Sequence, residues 1–188
     1  YANADIPIIT RRNDRTLSFQ ENFNAVLDLI PAEASHFRML HADDSMPPHA
    51  IAEMMALAKQ GDDIVMVAGG ERLNERDRSH FFPPECSIYD AGNMLARALS
   101  DEAHIPSAHV LYRTDVIHEG EEFYPTDTVE CVIAAYHRVL SRGGRAGFAH
   151  CHIADTRRYA GSGSLFDTFA PKVKAVIWEK LLFKIGRA

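Results

Sequence analysis

Five consecutive apolar residues, Ile64-Val65-Met66-Val67-Ala68, constrain this fold more than any other feature. A run without polar alternation, closed by Gly69-Gly70, is the pattern of a strand covered on both faces, and such strands belong to sheets flanked by helices. The preceding chain agrees. Residues 5–10 read as a short strand, with Pro7 near an edge or a strand start. Arg11 to Arg15 form a polar, basic loop. Ser18 and Glu21 make an S-x-x-E capping box, and Phe23, Val26, Leu27 and Ile30 follow at helical spacing until Pro31. Residues 36–41 give the next strand. Pro47-Pro48 opens a second helix, with Ile51, Met54, Met55 and Ala58 as its buried face and Gly61 as its end. The order strand, helix, strand, helix, strand predicts an α/β fold with a mostly parallel sheet.

Beyond Gly70 the pattern changes. Residues 71–79 are highly charged, and Phe81-Phe82-Pro83-Pro84 breaks any regular element, so this stretch reads as a long surface excursion. Residues 89–99 read as a helix, 107–113 as a strand and 114–118 as a turn or short helix. A further helix starts at Asp127, with Val129, Val132, Ile133, Tyr136, Val139 and Leu140 at helical spacing and Gly143-Gly144 as its stop. Residues 145–153 read as a strand and 155–164 as a polar, glycine-bearing loop. Pro171 opens a last amphipathic helix with basic Lys172, Lys174, Lys180, Lys184 and Arg187. The chain therefore divides into a core, 1–164, and a C-terminal helix, 165–188. That helix serves as core, as a partner surface or as a peripheral contact with a membrane face.

The 188 residues suit one domain with a sizeable core, and the net charge of −6 argues against general nucleic-acid binding. Cys86, Cys131 and Cys151 form no disulfide framework and no CxxC pair, which favours a reducing, cytoplasmic compartment. No apolar run approaches the ~18 residues of a membrane span. P-loop, dinucleotide, nucleophile-elbow and HExxH motifs are all missing from the sequence. His150 and His152 alternate on one strand face around Cys151, which fits either a zinc site or an ordinary strand.

Chemistry concentrates where the strand 36–41 ends in Asp43-Asp44. Ligands of open α/β folds bind at strand ends. Two hard oxygen ligands there suit Mg²⁺ or Mn²⁺, which could hold a diphosphate. The other reading of the pair is a solvated turn capping the next helix together with Ser45. Arg157 and Arg158 with Gly161-Ser162-Gly163-Ser164 either close over a diphosphate, guanidinium forks matching phosphate oxygens, or form a surface linker.

Five segments in order carry a resemblance. They are Asn22-Phe23-Asn24, Leu40-His41-Ala42-Asp43-Asp44 with Pro47, residues 107–113 with Thr114-Asp115-Val116, residues 120–127 (GEEFYPTD), and residues 157–164 (RRYAGSGS). Together they resemble family 2 glycosyltransferases of the GT-A fold. The resemblance implies inverting transfer of a sugar from a nucleotide-diphosphate donor to a hydroxyl of a glycan or lipid-linked acceptor, as in cell-surface polysaccharide synthesis. It implies Mn²⁺ or Mg²⁺ on Asp43 and Asp44, contacts to the donor from Asn22, Arg158 and Ser162, and Asp127 as general base. An enzyme of this kind would work in the cytoplasm or at the inner face of a membrane. His41, Thr126 and Tyr159 stand where the family carries two acids and a histidine. The chain opens on Tyr1, near the family's third strand, which implies an N-terminally truncated version of the fold. Asp127-x-x-Glu130 also fits a plain helix N-cap. Two rivals are a non-catalytic GT-A-like binding module and a small metal-dependent hydrolase built on His41, Asp43, Asp44 and His49.

Overall fold

A computed structural model describes residues 7–42, 44–74, 76–77, 82–100, 103, 105–106, 109–128 and 130–156. The described residues form six strands and four α-helices. The long central strand is β2 (Ile64–Leu73), and β6 (Arg145–Thr156) lies parallel beside it. The others are β1 (His36–Arg38), β3 (Arg76–Asp77), β4 (Ile88–Asp90) and β5 (Leu111–Arg113). The helices are α1 (Phe19–Leu27), α2 (Ala50–Ala58), α3 (Ala91–Leu99) and α4 (Cys131–Ser141).

The sheet order is β1-β5-β2-β6-β4, with β3 paired to the end of β2. The pairs β1·β5, β2·β5, β4·β6 and β2·β3 are antiparallel, which corrects the expected mostly parallel sheet to a mixed, mostly antiparallel one. The reason is topological. The β1–α2–β2 unit does make β1 and β2 run the same way, but β5 is inserted between them in the opposite direction. Thus β1, β2 and β6 end at one edge, and β5 begins there.

Both faces of β2 are covered, as the apolar run predicts. Met66 and Ala68 pack with Tyr112, Phe148, Met94, Tyr136 and Leu140, under α3 and α4. Ile64 and Val67 pack with Leu111, Ile153 and Met54, under α2. A register shift between Ile64 and Met66 accounts for Ile64 sharing a face with Val67, where strict alternation would separate them.

Several boundaries differ from those expected. Residues 7–10 have no regular structure, and Ile8 and Ile9 are exposed. The prolines lie in the turn before α2, whose buried stripe is Ala50, Met54 and Ala58, spaced four apart; Ile51 is exposed. Residues 71–73 continue β2 instead of opening a surface loop, because β6 runs alongside them as far as Thr156. The capping box of Ser18 and Glu21 is present as expected. The stop after α4 is present too, with Gly143 and Gly144 at φ 93° and 84°. The C-terminal helix of 165–188 lies outside the described residues.

Candidate functional site

The loop leaving β1 is pinned along the end of β6. Ser45 and Asp155 exchange backbone hydrogen bonds of 3.0 and 2.9 Å, and His49 Nε2 lies 2.9 Å from the His152 carbonyl oxygen. This holds Asp44 inward. Its side chain is 3% exposed, with Oδ2 3.3 Å from His109 Nε2 and 3.6 Å from His41 Nδ1. His109, fully buried, precedes β5 and so comes to the same edge. Its Nε2 is also 3.1 Å from Thr156 Oγ1, at the end of β6. The Thr156 hydroxyl in turn donates to Glu71 Oε2 of β2, at 3.4 Å. One polar network therefore joins the ends of three strands to the start of a fourth.

A second group of residues is brought up by α1. The His41 ring stacks on Phe23 at 5.3 Å, and Phe23 meets Tyr124 edge-on at 5.4 Å. Asn24 donates to the Tyr124 carbonyl at 2.8 Å and accepts from its N–H at 2.9 Å; Gln20 donates to the Thr128 carbonyl at 3.0 Å. The turn holding Asp127 is thereby fastened to the helix whose Phe23 contacts His41.

Asp127 is exposed and lies in a turn before α4, whose N-cap is Glu130. This corrects its reading as the first residue and cap of that helix. Thr126 is tied down by Glu122, whose carboxylate accepts from its N–H at 3.2 Å and its hydroxyl at 2.8 Å. Asn22 is exposed and accepts from the Asn13 amide at 2.9 Å, on a different side of α1 from Asn24. Asp43, Arg158, Tyr159 and Ser162 lie outside the described residues.

Glu71, His109, Thr156 and Arg38 are the members that the sequence reading passed over. Glu71 and His109 each carry one visible signal, a polar residue beside or within a stretch read as a strand. Arg38 of β1 donates to the Ile153 carbonyl at 3.0 Å, and burial pulls its guanidinium down to about 10, so it stays charged at neutral pH.

The Asp44 carboxylate faces two imidazoles, and among the described residues no group of three or more His, Cys, Asp or Glu side chains is arranged to hold an ion; Asp43, the other acid of the pair, lies outside them. The zinc alternative fares no better: His150 Nε2 lies 2.7 Å from the Cys86 carbonyl oxygen, whereas His152 Nε2 lies 3.0 Å from Asp155. In the hydrolase alternative, His49 is turned to the β6 backbone.

A cavity of 390 Å³ lies at the opposite edge of the sheet, between Asp63, Arg113, His118, Arg142 and Gly144. Its arginines are paired with Asp115 and Glu121, and none of the residues expected to function reaches it. Among the described residues no helix is long and apolar enough to cross a membrane. No family model and no curated protein matches the chain.

Proposed function

We propose that this chain is the core of a GT-A-type glycosyltransferase, moving a sugar from a nucleotide-diphosphate donor to a hydroxyl acceptor with inversion. The observation that carries the reading is the meeting of two distant motifs around Phe23. His41, next to Asp44, touches one part of that ring, and Tyr124, three residues before Asp127, touches another. An exposed carboxylate on a turn fastened to α1 suits the chemistry, since a general base must be reachable by the acceptor hydroxyl. The bond from the sugar's anomeric carbon to the diphosphate breaks, the acceptor oxygen takes its place, and Asp127 receives the hydroxyl proton. Asn22, Arg158 and Ser162 belong to the donor side of this reading, on the resemblance alone. Of the two residues that the resemblance gives to the divalent ion, Asp44 is enclosed and Asp43 lies outside the described residues, and no step is assigned to the ion.

The test is transfer from a panel of nucleotide sugars to hydroxyl acceptors, with Mn²⁺ or Mg²⁺ present and absent, for the wild type and Asp127→Asn. Turnover that collapses in the variant is the expected result. Lack of both turnover and nucleoside diphosphate binding would sink the proposal. It would favour a binding module instead, a reading that the enclosed Asp44 side chain supports.

A further inference from the structure

We infer that His109 is a positioning residue and that Asp44 is the acceptor it holds, so that a buried latch ties the turn after β1 to the end of β6. The bearing of this latch on sugar transfer rests on the proposal above; its geometry does not.

The hydrogens of the network can be assigned by elimination. Thr156 has one hydroxyl hydrogen, and donating it to Glu71 Oε2 at 3.4 Å satisfies a carboxylate that can only accept. In that orientation the hydroxyl oxygen offers lone pairs to His109 Nε2 at 3.1 Å. The second neighbour of Nε2 is the Asp44 carboxylate oxygen at 3.3 Å, which is also an acceptor. A hydrogen on Nε2 serves both neighbours. A bare lone pair there would face two oxygens in a place closed to water, where unpaired polar groups are costly. Nδ1 of His109 has no hydrogen-bond partner among the described residues, so nothing there favours placing the proton on that side. One N–H thus spans the loop after β1 and the end of β6, and Thr156 passes the connection to β2.

The backbone repeats the restraint. Asp44 N–H closes a turn on the His41 carbonyl at 3.2 Å, and Ser45 pairs with Asp155 immediately afterwards. The Asp44 side chain is 3% exposed, with Oδ2 directed at His109. The latch therefore holds the loop in place before any ligand arrives, and pre-organisation of this kind lets supporting residues sharpen a site.

The experiment is long-range ¹H–¹⁵N correlation at the histidine rings of the whole protein, with Mg²⁺ as the probe ion. In the wild type, His109 should show a single tautomer with a slowly exchanging hydrogen on Nε2. Asp44→Asn and Thr156→Val should each shift that resonance, and millimolar Mg²⁺ should leave it in place. A hydrogen on Nδ1, rapid averaging of tautomers, or displacement of the Nε2–H signal by Mg²⁺ would overturn the inference. Urea unfolding of Asp44→Asn, His109→Gln and the double variant is the second measurement. A latch makes the double variant at least about tenfold more stable in its unfolding constant than the product of the two single effects, whereas independent residues multiply. The wild-type spectra decide the matter even if a variant fails to fold. Loss of the glycosyltransferase reading would appear separately, as absent turnover with the Nε2–H signal intact.

Discussion

Asn24 and Tyr124 close a two-hydrogen-bond ring, the side-chain amide of one pairing with both backbone groups of the other at 2.8 and 2.9 Å across 100 residues of sequence. Asn24→Ala leaves a partly buried N–H and C=O without these partners, so stability should fall by about 1–3 kcal/mol. The urea midpoint measures it. Asn24→Asp turns a carboxylate oxygen toward the Tyr124 carbonyl in place of the N–H donor, so it should be no more stable than the alanine variant.

Catalytic and structural roles separate cleanly at Asp127. Its side chain is exposed and it stands outside α4, so Asp127→Asn should leave the melting temperature nearly unchanged. As the proposed general base, its loss should lower kcat about 10²- to 10⁴-fold with a nucleotide-sugar donor. An unchanged rate, measured on an active wild type, would remove Asp127 from the mechanism.

His137 makes the fold sensitive to acid. It is buried in α4, and that burial depresses its imidazole from 6.5 to about 4. The unfolded chain therefore binds a proton near pH 6.5 that the folded chain refuses until about pH 4. The full stability is present above pH 6.5 and is lost as pH falls through that window, by roughly 3 kcal/mol for this group. Desolvation lowers His36 in the same direction, so the comparison must be with a variant. His137→Gln should flatten the fall in urea midpoint between pH 6.5 and 4.5, above the range where most carboxylates titrate.

The two glycines after α4 should respond unequally to alanine. Both have left-handed φ, 93° for Gly143 and 84° for Gly144. A Cβ on Gly143 meets nothing within 4 Å, whereas one on Gly144 would sit 2.8 Å from the Asp63 carbonyl oxygen. Gly143→Ala should cost only the conformational term, about 1–2 kcal/mol. Gly144→Ala adds a backbone clash and should cost on the order of 3 kcal/mol or more. Thermal denaturation of the pair compares them directly.

Local chemistry in the sequence was enough for the elements whose causes are local. The Ser18–Glu21 box starts α1, the spacing of Val132, Tyr136, Val139 and Leu140 marks α4, Gly143-Gly144 stops it, and the run from Ile64 makes β2 a strand buried on both faces. Tertiary structure decided the rest, because strand partners are chosen by packing between segments far apart in the chain. No periodicity in residues 111–113 tells that β5 lies between β1 and β2 and runs against them. The same holds for the site. Asp44 was conspicuous as one of two adjacent acids, but its burial depends on His109, which the β5 topology delivers to that edge. Glu71 looked like the first residue of a solvated loop, yet β6 runs alongside it and Thr156 donates to it, so it is enclosed. A carboxylate has the same local signature whether water or a neighbouring strand surrounds it, and only the packing of β2, β5 and β6 tells the two apart.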